Sequence, residues 1–420
     1  MIYNALVSCA SGLLKAAHAL PASLTGVGKS RRFVDGQARA LRALAAGFEP
    51  GPENYWLHCS SLGEYAIARP LIAELKARRP EARILLTFFS PTGVDALRAR
   101  PNPAVDFVGF LPPDTRSNAR EFLALARPRA AIFAVSEYWP GYLRELRRRG
   151  IPAFLVSSMF GHDAPHFSAL TGRPFRASLE AYAHIFCLTD KSVRALAELG
   201  FSRASVEGDP LVDNALKISS TPWHSPLLQE FAAQGRTLIC GSIHDADDLR
   251  LVAAEVNAHP ERRYLLVPHE VDESTLARVE QALDVPPVRL SAYAAGRPER
   301  VVIVDNVGSL AYLYRLGGMA YIGGGFGRQL HSLLEATVYG LPIAFGPRSE
   351  RKAVARILLA AGVATTVSTP AEFRAWADRF FAMPAAELEE LKARARALCE
   401  RQAGATKRII DRILSLTPDA

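Results

Sequence analysis

Short apolar runs alternate with segments of helical periodicity along most of the chain, and this alternation predicts parallel sheets. The first run, Asn54–Ser60, is followed by a glycine turn and a predicted helix from about Glu64 to Arg78. Because parallel strands are buried on both faces, apolar runs joined by helices predict helices on both sides of each sheet. The other predicted strands are 82–88, 105–110, 130–135, 151–157, 183–188, 237–240, 264–267, 301–304, 319–322 and 341–345.

The alternation pauses between about residues 218 and 234, where the segment TPWHSP predicts a linker, and then resumes. A chain of 420 residues is long enough for two domains of ordinary size. We therefore predict an α/β fold with two doubly wound domains that face a cleft. The predicted divisions are an amino-terminal segment 1–30, a first domain 31–217, a linker 218–234, a second domain 235–390 and a C-terminal helix 391–420.

The first twenty residues carry apolar side chains at spacings of three and four, which predicts an amphipathic helix. The basic residues of KSRR at 29–32 follow this stripe, whereas in a signal peptide they precede it. This order favours a helix that lies on an anionic membrane surface, with a helix docked on the protein as the alternative. No apolar run reaches the ~20 residues that a transmembrane helix needs.

The net charge of +8 favours an anionic partner, such as a membrane surface or a phosphorylated substrate. Aromatic residues do not interleave with the basic clusters, which argues against nucleic acid as a partner. The five cysteines are scattered and lack CxxC spacing, which is typical of a protein from a reducing cytoplasm.

The stretch YIGGGFGRQLHSLLEATVYGLPIAFGP at 321–347 predicts a strand, a glycine turn and a helix. The turn contains Gly323, Gly324 and Gly325, and the helix is expected from about Gln329 to Tyr339. Exposed glycine amides and a helix N-terminus form an anion site. The stretch has no Gly-Lys-Ser/Thr, and a non-glycine residue stands where GxGxxG requires its last glycine. We therefore expect a nucleotide geometry other than those of the P-loop or the dinucleotide fingerprint.

On the predicted helix, His331 and Glu335 lie four residues apart and so share one face. A glutamate one turn beyond a phosphate site suits a ribose diol, and a surface ion pair is the alternative interpretation.

Polar residues follow three other predicted strands of the second half: Ser242 and His244, then Pro268 and His269, then Gly308 and Ser309. Because ligands bind at the carboxyl ends of parallel strands, these residues predict one shared site. Asp-Ala-Asp at 245–247 resembles a DxD metal motif, but acidic residues at a helix start also favour the helix dipole. No His or Cys set has the sequence spacing of metal ligands, so we expect no metal.

Two glutamates follow strands of the first half. Glu64 comes one residue after a turn glycine, and Glu137 precedes Trp139 and Pro140. We interpret Glu64 as a general base, which requires a pKa raised toward neutrality. Capping of the helix N-terminus is the alternative for Glu64. The two carboxylates are expected to flank an acceptor hydroxyl, with separate structural roles as the alternative.

An ordered set of segments resembles the 3-deoxy-D-manno-octulosonate (Kdo) transferases of lipopolysaccharide synthesis, over nearly the whole chain. The glycine run and the segment at 29–36 look most like the form found in Bacteroidetes. The matching segments are HCSSLGEYAIARPLI, FFSPTGVD, FLPPD, RPRAAIFAVSEYWPGYLRELRRRGIPAFLVSS, GSIHDAD and IGGGFGRQLHSLLEATVYGLPIAFGP.

The resemblance implies a GT-B fold, with the acceptor in the first Rossmann-like domain and the nucleotide in the second. It implies an inverting transfer of Kdo from CMP-Kdo to a phosphorylated lipid A precursor of the lipid IVA type. The implied location is the cytoplasmic face of the inner membrane, and no cofactor is implied beyond the donor. Glu64 and Glu137 match catalytic-site positions. The donor-site positions that we assign are Ser242, His244, Pro268, His269, Gly308, Ser309, Gly323, Gly324, Gly325, Arg328, His331, Ser332 and Glu335.

The sequence departs from the family pattern at four of these places. Val135-Ser136-Glu137 replaces Glu-Thr-Glu, so the first of its two acidic residues is lost. Ser332 replaces an asparagine. Pro-His-Glu at 268–270 replaces Pro-Arg-His, and Ser309 replaces a glutamate. These departures bear on donor geometry. Alternative functions are an epimerase or other transferase of the same fold, and a non-catalytic nucleotide-binding membrane protein.

Overall fold

The structure is a computed structural model that describes residues 29–161, 172–294, 296–327, 330–349 and 352–417. The chain forms two compact units. The first unit is Met1–Asp213 together with Gly404–Ala420, and the second is Asn214–Ala403. Most of the predicted amino-terminal segment, up to residue 28, lies outside the described residues. Within the described part, no helix has both the length and the apolar character that crossing a membrane requires.

The first unit contains a seven-stranded sheet in the order β3-β2-β1-β4-β5-β6-β7, and neighbouring strands are parallel. Its strands are β1 Asn54–Cys59, β2 Arg83–Phe88, β3 Phe107–Phe110, β4 Ala130–Ala134, β5 Ala153–Ser158, β6 Tyr182–Cys187 and β7 Ala204–Val206. The helices before the division between Asp213 and Asn214 are α1 Lys29–Gly47, α2 Leu62–Arg78, α3 Pro91–Ala99, α4 Arg116–Ala126, α5 Pro140–Arg148, α6 Gly172–Leu179 and α7 Asp190–Glu198. Helix α8 Pro210–Ser220 spans this division.

The second unit contains another parallel seven-stranded sheet, in the order β10-β11-β9-β8-β12-β13-β14. Its strands are β8 Thr237–Ile243, β9 Arg263–Pro268, β10 Val288–Arg289, β11 Val301–Ile303, β12 Met319–Ile322, β13 Ile343–Phe345 and β14 Ala364–Thr366. Its helices are α9 Pro226–Ala233, α10 Ala246–Ala258, α11 Glu273–Gln281, α12 Leu310–Leu313, α13 Leu334–Thr337, α14 Ala353–Ala360, α15 Pro370–Ala382 and α16 Ala385–Glu400.

Each sheet has a point where the strand order reverses. In the first sheet β1 lies between β2 and β4, and in the second β8 lies between β9 and β12. Connections leave in opposite directions at such a point, so the strand ends there are left uncovered for a ligand. Glu64 and Glu137 follow β1 and β4, whereas His244 and the glycine run follow β8 and β12. The predicted α/β fold with two doubly wound domains is confirmed.

The predicted strands are confirmed because each apolar run is buried in one of the two sheets. The prediction of a helix from about Gln329 to Tyr339 is wrong. Among the described residues of that segment, only Leu334–Thr337 is helical. The His331 N–H donates to the carbonyl oxygen of Gly323 at 3.2 Å, which holds this part of the chain beside the end of β12. His331 and Glu335 therefore do not share a helix face. Gly340, directly after the predicted helix, has a left-handed φ of 81°.

The C-terminal region differs from the predicted division. The predicted C-terminal helix 391–420 is in fact two helices. The first, α16, belongs to the second unit, whereas the last helix, α17 Ala405–Leu416, belongs to the first unit. Ile409, Ile410 and Ile413 are buried in the same cluster as Leu71 and Ile72 of α2. Within the predicted linker, α9 places Leu228 and Phe231 in the core of the second unit.

Candidate active site

The backbone after β4 turns sharply to present Glu137. Val135 has a φ of 67°, and the Ser136 N–H donates to the carbonyl oxygen of Ala134 at 3.0 Å. A β-branched residue rarely adopts positive φ, and such strain is typical of functional sites. The Val135 carbonyl oxygen accepts from the Ser158 hydroxyl at 2.9 Å, and the Glu137 carbonyl oxygen accepts from the Tyr182 hydroxyl at 2.6 Å. Contacts from β5 and β6 therefore hold the strained turn in place.

Glu64 is placed by the start of α2. Ser61 caps this helix, because its hydroxyl oxygen accepts from the Glu64 N–H at 3.4 Å. The Glu64 carboxylate turns back and accepts from the Ser60 N–H at 2.5 Å. The capping interpretation is thus partly right, since this carboxylate satisfies a backbone amide just before the helix. This hydrogen bond uses one oxygen of the carboxylate, so the other oxygen of Glu64 is available for further contacts.

The two carboxyl groups lie close together, because each one shifts the pKa of the other. Burial is the main cause that raises the pKa of each, and the charge of Glu64 further raises the pKa of Glu137 to about 8. Two neighbouring carboxyl groups do not both ionise readily, so the pair holds one proton near neutral pH. Glu137 is only 4% exposed and Glu64 is half-buried. The proton therefore stays on Glu137, and Glu64 carries the charge.

Aromatic side chains surround Glu137. The Trp139 indole N–H donates to Glu137 Oε2, and the Trp139 ring lies edge-on to His58 with centroids 5.3 Å apart. His58 Nε2 is 3.7 Å from the same oxygen. Burial lowers the pKa of His58 to about 3, so this imidazole is neutral and does not offset the charge of the pair. Sequence reasoning did not identify His58, because it lies inside the apolar run of β1.

In the second unit, three histidines meet at three neighbouring strand ends. His244 follows β8, His269 follows β9 and His331 follows β12. The ring centroids are 4.8 Å apart for His244 and His269, 4.4 Å for His269 and His331, and 5.7 Å for His244 and His331. Burial and the neighbouring imidazoles lower the pKa of His269, and lower that of His331 to about 4. The sequence therefore correctly predicted that these three strand ends share one site.

The glycine run has a different role from the predicted one. Gly323, Gly324 and Gly325 are buried, and a Cβ on Gly323 would lie 2.1 Å from the Ser242 carbonyl oxygen. The Gly323 N–H donates to the Gly241 carbonyl oxygen at 2.9 Å, and the Gly324 N–H donates to Asp248 Oδ2 at 2.8 Å. These two amides are therefore not free for an anion, which corrects the predicted anion site. The glycines let the ends of β8, β12 and β13 approach closely.

Asp248 organises these strand ends from the first turn of α10. This fully buried carboxylate accepts from the N–H groups of His244, Asp245 and Gly324 and, at 2.6 Å, from the Tyr321 hydroxyl. It also completes a capping box with Asp245. The DxD-like acids thus have a structural role at a helix start, as the sequence indicated. Asp248 itself was not among the predicted site residues.

A pocket of about 500 Å³ lies beside the three histidines. One of its lining residues, Arg278 on α11, is exposed, and no ion pair of Arg278 appears among the described residues. Sequence reasoning missed Arg278 because it searched strand ends, whereas this residue lies in the last turn of a helix. The other lining residues are Ile243, His244, His269, Glu270, Asp272, Ser274 and Thr275.

The other predicted donor residues have mixed placements. Ser242 is held at a φ of 54°, where β8 shifts register against β9. Ser309 precedes α12 and has a buried hydroxyl without a hydrogen-bond partner in the described part, while Gly308 before it has a φ of 94°. Ser332 is exposed and Glu335 is half-buried. Pro268 is the buried last residue of β9, and Arg328 lies outside the described residues.

Residues 30–213 match the family described as 3-Deoxy-D-manno-octulosonic-acid transferase (kdotransferase). Over 395 residues the chain is 29% identical to the 3-deoxy-D-manno-octulosonic acid transferase of Bordetella pertussis, with 89% of this chain and 90% of that protein covered. The chain is therefore similar to Kdo transferases over most of its length. This similarity agrees with the resemblance found in the sequence, and the closer likeness to the Bacteroidetes form stays a prediction.

Solved structures of other proteins share the fold of this chain. UDP-GlcNAc 2-epimerase from Neisseria meningitidis aligns with a TM-score of 0.59 at 12% identity, covering 86% of this chain and all of that one. MurG from Acinetobacter baumannii aligns with a TM-score of 0.54 at 13% identity, covering 87% of this chain and 100% of that one. Both likenesses support the GT-B fold expected for a Kdo transferase. At such low identity they carry no information on substrate.

Proposed function

We propose that this protein is an inverting glycosyltransferase that moves Kdo from CMP-Kdo to a lipid A precursor of the lipid IVA type. The observation that carries the proposal is the interacting pair of carboxyl groups of Glu64 and Glu137 at the strand-order reversal of the first sheet. A general base with a raised pKa is what deprotonation of a sugar hydroxyl requires near neutral pH. Similarity to Kdo transferases supports Kdo as the transferred group.

In the proposed reaction Glu64 accepts the proton of an acceptor sugar hydroxyl. The hydroxyl oxygen forms a bond to the anomeric carbon of Kdo, and the bond from that carbon to the phosphate oxygen breaks. The hydroxyl attacks from the face opposite the phosphate, so the configuration at the anomeric carbon inverts, and CMP departs with the bonding electron pair. Glu137 keeps its own proton and donates a hydrogen bond to Glu64, which fixes the orientation of the base. The Ser60 N–H binds the other side of the Glu64 carboxylate.

The second unit supplies the proposed donor site, at the pocket beside His244 and His269. Arg278 provides a fixed positive charge for the phosphate or for the Kdo carboxylate. Ser242 and Ser309 add hydroxyl groups near the ends of β8 and β11. The roles of Pro268, Gly308, Arg328, Ser332 and Glu335 in donor binding stay predictions. The displacement transfers no electrons to a redox partner, so we propose no cofactor beyond the donor.

We further propose that the protein acts at the cytoplasmic face of the inner membrane and binds an anionic membrane surface, with no role for nucleic acid. The net charge of +8 supports an anionic partner. The basic cluster at 144–149 contributes little to such binding, because Arg148 and Arg149 are paired with the Glu145 carboxylate at 2.7 and 2.9 Å. The segment before Lys29 is the proposed membrane-binding element.

Purified protein incubated with CMP-Kdo and tetraacylated lipid A precursor tests the function, with the lipid product weighed by mass spectrometry. We expect a mass increase equal to one or more Kdo residues, together with release of CMP. If the nucleotide sugar changes without any lipid acceptor, the epimerase alternative is correct. If CMP binds and neither product forms, the protein is a non-catalytic nucleotide binder.

A further inference from the structure

The histidine cluster of the second unit, His244, His269 and His331, has the dimensions of a metal site. One ring nitrogen from each residue lies within 4.8 Å of the corresponding nitrogens of the other two. Ligands of a tetrahedral zinc ion lie closer together than this, because each Zn–N bond is about 2.0–2.1 Å long. The side chains of His244 and His269 are exposed, so small rotations of their rings suffice to close the difference.

Three backbone hydrogen bonds fix the residues from which these rings project. The His244 N–H donates to Asp248 Oδ2 at 3.1 Å, the His269 N–H to the Ile243 carbonyl oxygen at 2.9 Å, and the His331 N–H to the Gly323 carbonyl oxygen at 3.2 Å. The ligand-bearing backbone is therefore preorganised by the sheet, and binding requires no refolding of the site.

His331 provides an independent sign of a missing partner. Its Nε2 atom is buried and has no hydrogen-bond partner among the described residues. Buried polar nitrogens are almost always satisfied, and an exception commonly marks a site for water or an ion. This nitrogen belongs to the same ring that lies 4.4 Å from the ring of His269.

We propose that His244, His269 and His331 bind a divalent transition-metal ion of the zinc class through one imidazole nitrogen each. Imidazole suits zinc, copper and nickel, whereas magnesium and calcium require oxygen ligands. Three protein ligands leave a fourth coordination position for water or an anionic oxygen.

Sequence reasoning grouped these strand ends but did not indicate a metal site, because metal motifs are recognised by short spacing and these ligands come from three separate strand ends. The metal site does not depend on the proposed transferase activity, since metal binding is measured without either substrate. No step of the proposed transfer passes through the ion. The two hypotheses therefore succeed or fail separately.

The test is a chelator-competition titration of the full-length protein, without a histidine tag, with Zn²⁺, and with Co²⁺ followed by its visible absorption. The variants are His244→Ala, His269→Ala and His331→Ala. The control is His224→Ala, because His224 is also exposed and lies in the same unit but outside the cluster. Mg²⁺ is the control ion. Since two of the three ligands are exposed, at least H244A and H269A are expected to keep the fold.

We expect one Zn²⁺ per chain, with a tetrahedral Co²⁺ spectrum, in the parent and in H224A. Each cluster variant is expected to weaken Zn²⁺ binding by more than the roughly 10- to 100-fold that loss of an outer-shell partner costs. The proposal is overturned if Zn²⁺ binds no more tightly than Mg²⁺. It is equally overturned if H244A and H269A bind Zn²⁺ as the parent does, because the ion then sits elsewhere.

Discussion

The carboxyl groups of Glu64 and Glu137 shift each other's pKa although the two residues follow different strands of the first sheet. The pair is asymmetric, because Glu137 is almost completely buried and Glu64 is half-buried. A carboxyl group that keeps access to solvent is the one that an acceptor hydroxyl can reach. This asymmetry assigns the base to Glu64 and the retained proton to Glu137.

Replacing Glu64 by Gln is expected to lower the rate of Kdo transfer by about 10²- to 10⁴-fold, the usual contribution of a general base. CMP affinity is expected to stay unchanged, because Glu64 belongs to the first unit and the proposed nucleotide site to the second. Lipid mass spectrometry gives the rate, and calorimetry gives the CMP affinity. Glu74→Gln, a change on the solvent side of the same helix, is the matched control. Parental turnover in E64Q would remove Glu64 from the mechanism.

Glu137 is expected to make stability fall as pH rises. Its pKa is about 8 in the folded protein and 4.5 in the reference state, so the folded state binds the extra proton between these values. The stabilisation is complete below the lower pKa and is lost as pH rises through the higher one. Relative to Glu137→Gln, the free energy of unfolding should fall by on the order of 1 kcal/mol per pH unit between about pH 5 and pH 8.

Urea unfolding of the parent and E137Q at several pH values measures this difference. The comparison between the two proteins cancels the titration of groups that they share. Parallel pH profiles for the two would show that Glu137 is ionised in the folded protein, contrary to the proton assignment above.

Replacing Asp248 by Asn is expected to destabilise the second unit. Asp248 Oδ2 accepts from three backbone N–H groups and Oδ1 from the Tyr321 hydroxyl, and an asparagine has only one accepting oxygen. Each buried donor left unsatisfied costs about 1–3 kcal/mol. Asp247→Asn is the control, because that carboxylate is exposed and is expected to change stability by no more than about 0.5 kcal/mol. Equal urea midpoints for the two variants would show that the Asp248 contacts are not needed.

Replacing Gly323 by Ala is expected to disrupt the packing of the strand ends. The added Cβ would lie 2.1 Å from the Ser242 carbonyl oxygen, and backbone atoms cannot move aside as a side chain can. Overpacking of this kind costs about 1–3 kcal/mol or more. Gly318→Ala, at the start of the same strand, is the matched control, since its nearest neighbour would be 3.7 Å away. Thermal unfolding of both variants measures the effect, and G323A should unfold at the lower temperature.

Replacing Arg278 by Ala is expected to weaken CMP-Kdo binding by roughly 10- to 100-fold, which corresponds to the loss of one hydrogen bond to a charged group. Stability should be unchanged, because the side chain is exposed and no ion pair of Arg278 appears in the described part. Arg250→Ala, which removes an exposed arginine paired with Asp247, is the control. Donor affinity equal to that of the control would show that Arg278 does not contact the bound nucleotide sugar.

The eleven strands that were predicted, and with them the two sheets, were predictable because burial on both faces appears directly as apolar runs. The edge strands β7, β10 and β14 were missed because they are only two or three residues long and partly exposed. The grouping of Glu64 with Glu137, and of His244 with His269 and His331, was also predictable, since neighbouring parallel strands end at one edge. These predictions needed only strand order. They did not need the positions of individual side-chain atoms.

The errors arose where distant backbone contacts override local pattern. The leucine-rich segment after the glycine run has helical periodicity, but the hydrogen bond from His331 to Gly323 keeps its start extended. The amides of Gly323 and Gly324 looked free because their acceptors, Gly241 and Asp248, lie far away in the sequence. The pocket residue Arg278 was missed because no local pattern distinguishes it from other exposed arginines.

The carboxylate of Asp213 accepts from the N–H groups of Gly404 and Thr406, each at 2.6 Å. These hydrogen bonds connect the end of the first chain segment of the first unit to the start of its second segment. The second unit is therefore an insertion into the first. During synthesis on the ribosome, residues 214–403 emerge before α17, whose isoleucines complete the core around α2. The first unit must consequently wait, with that apolar surface uncovered, until translation has passed the whole second unit.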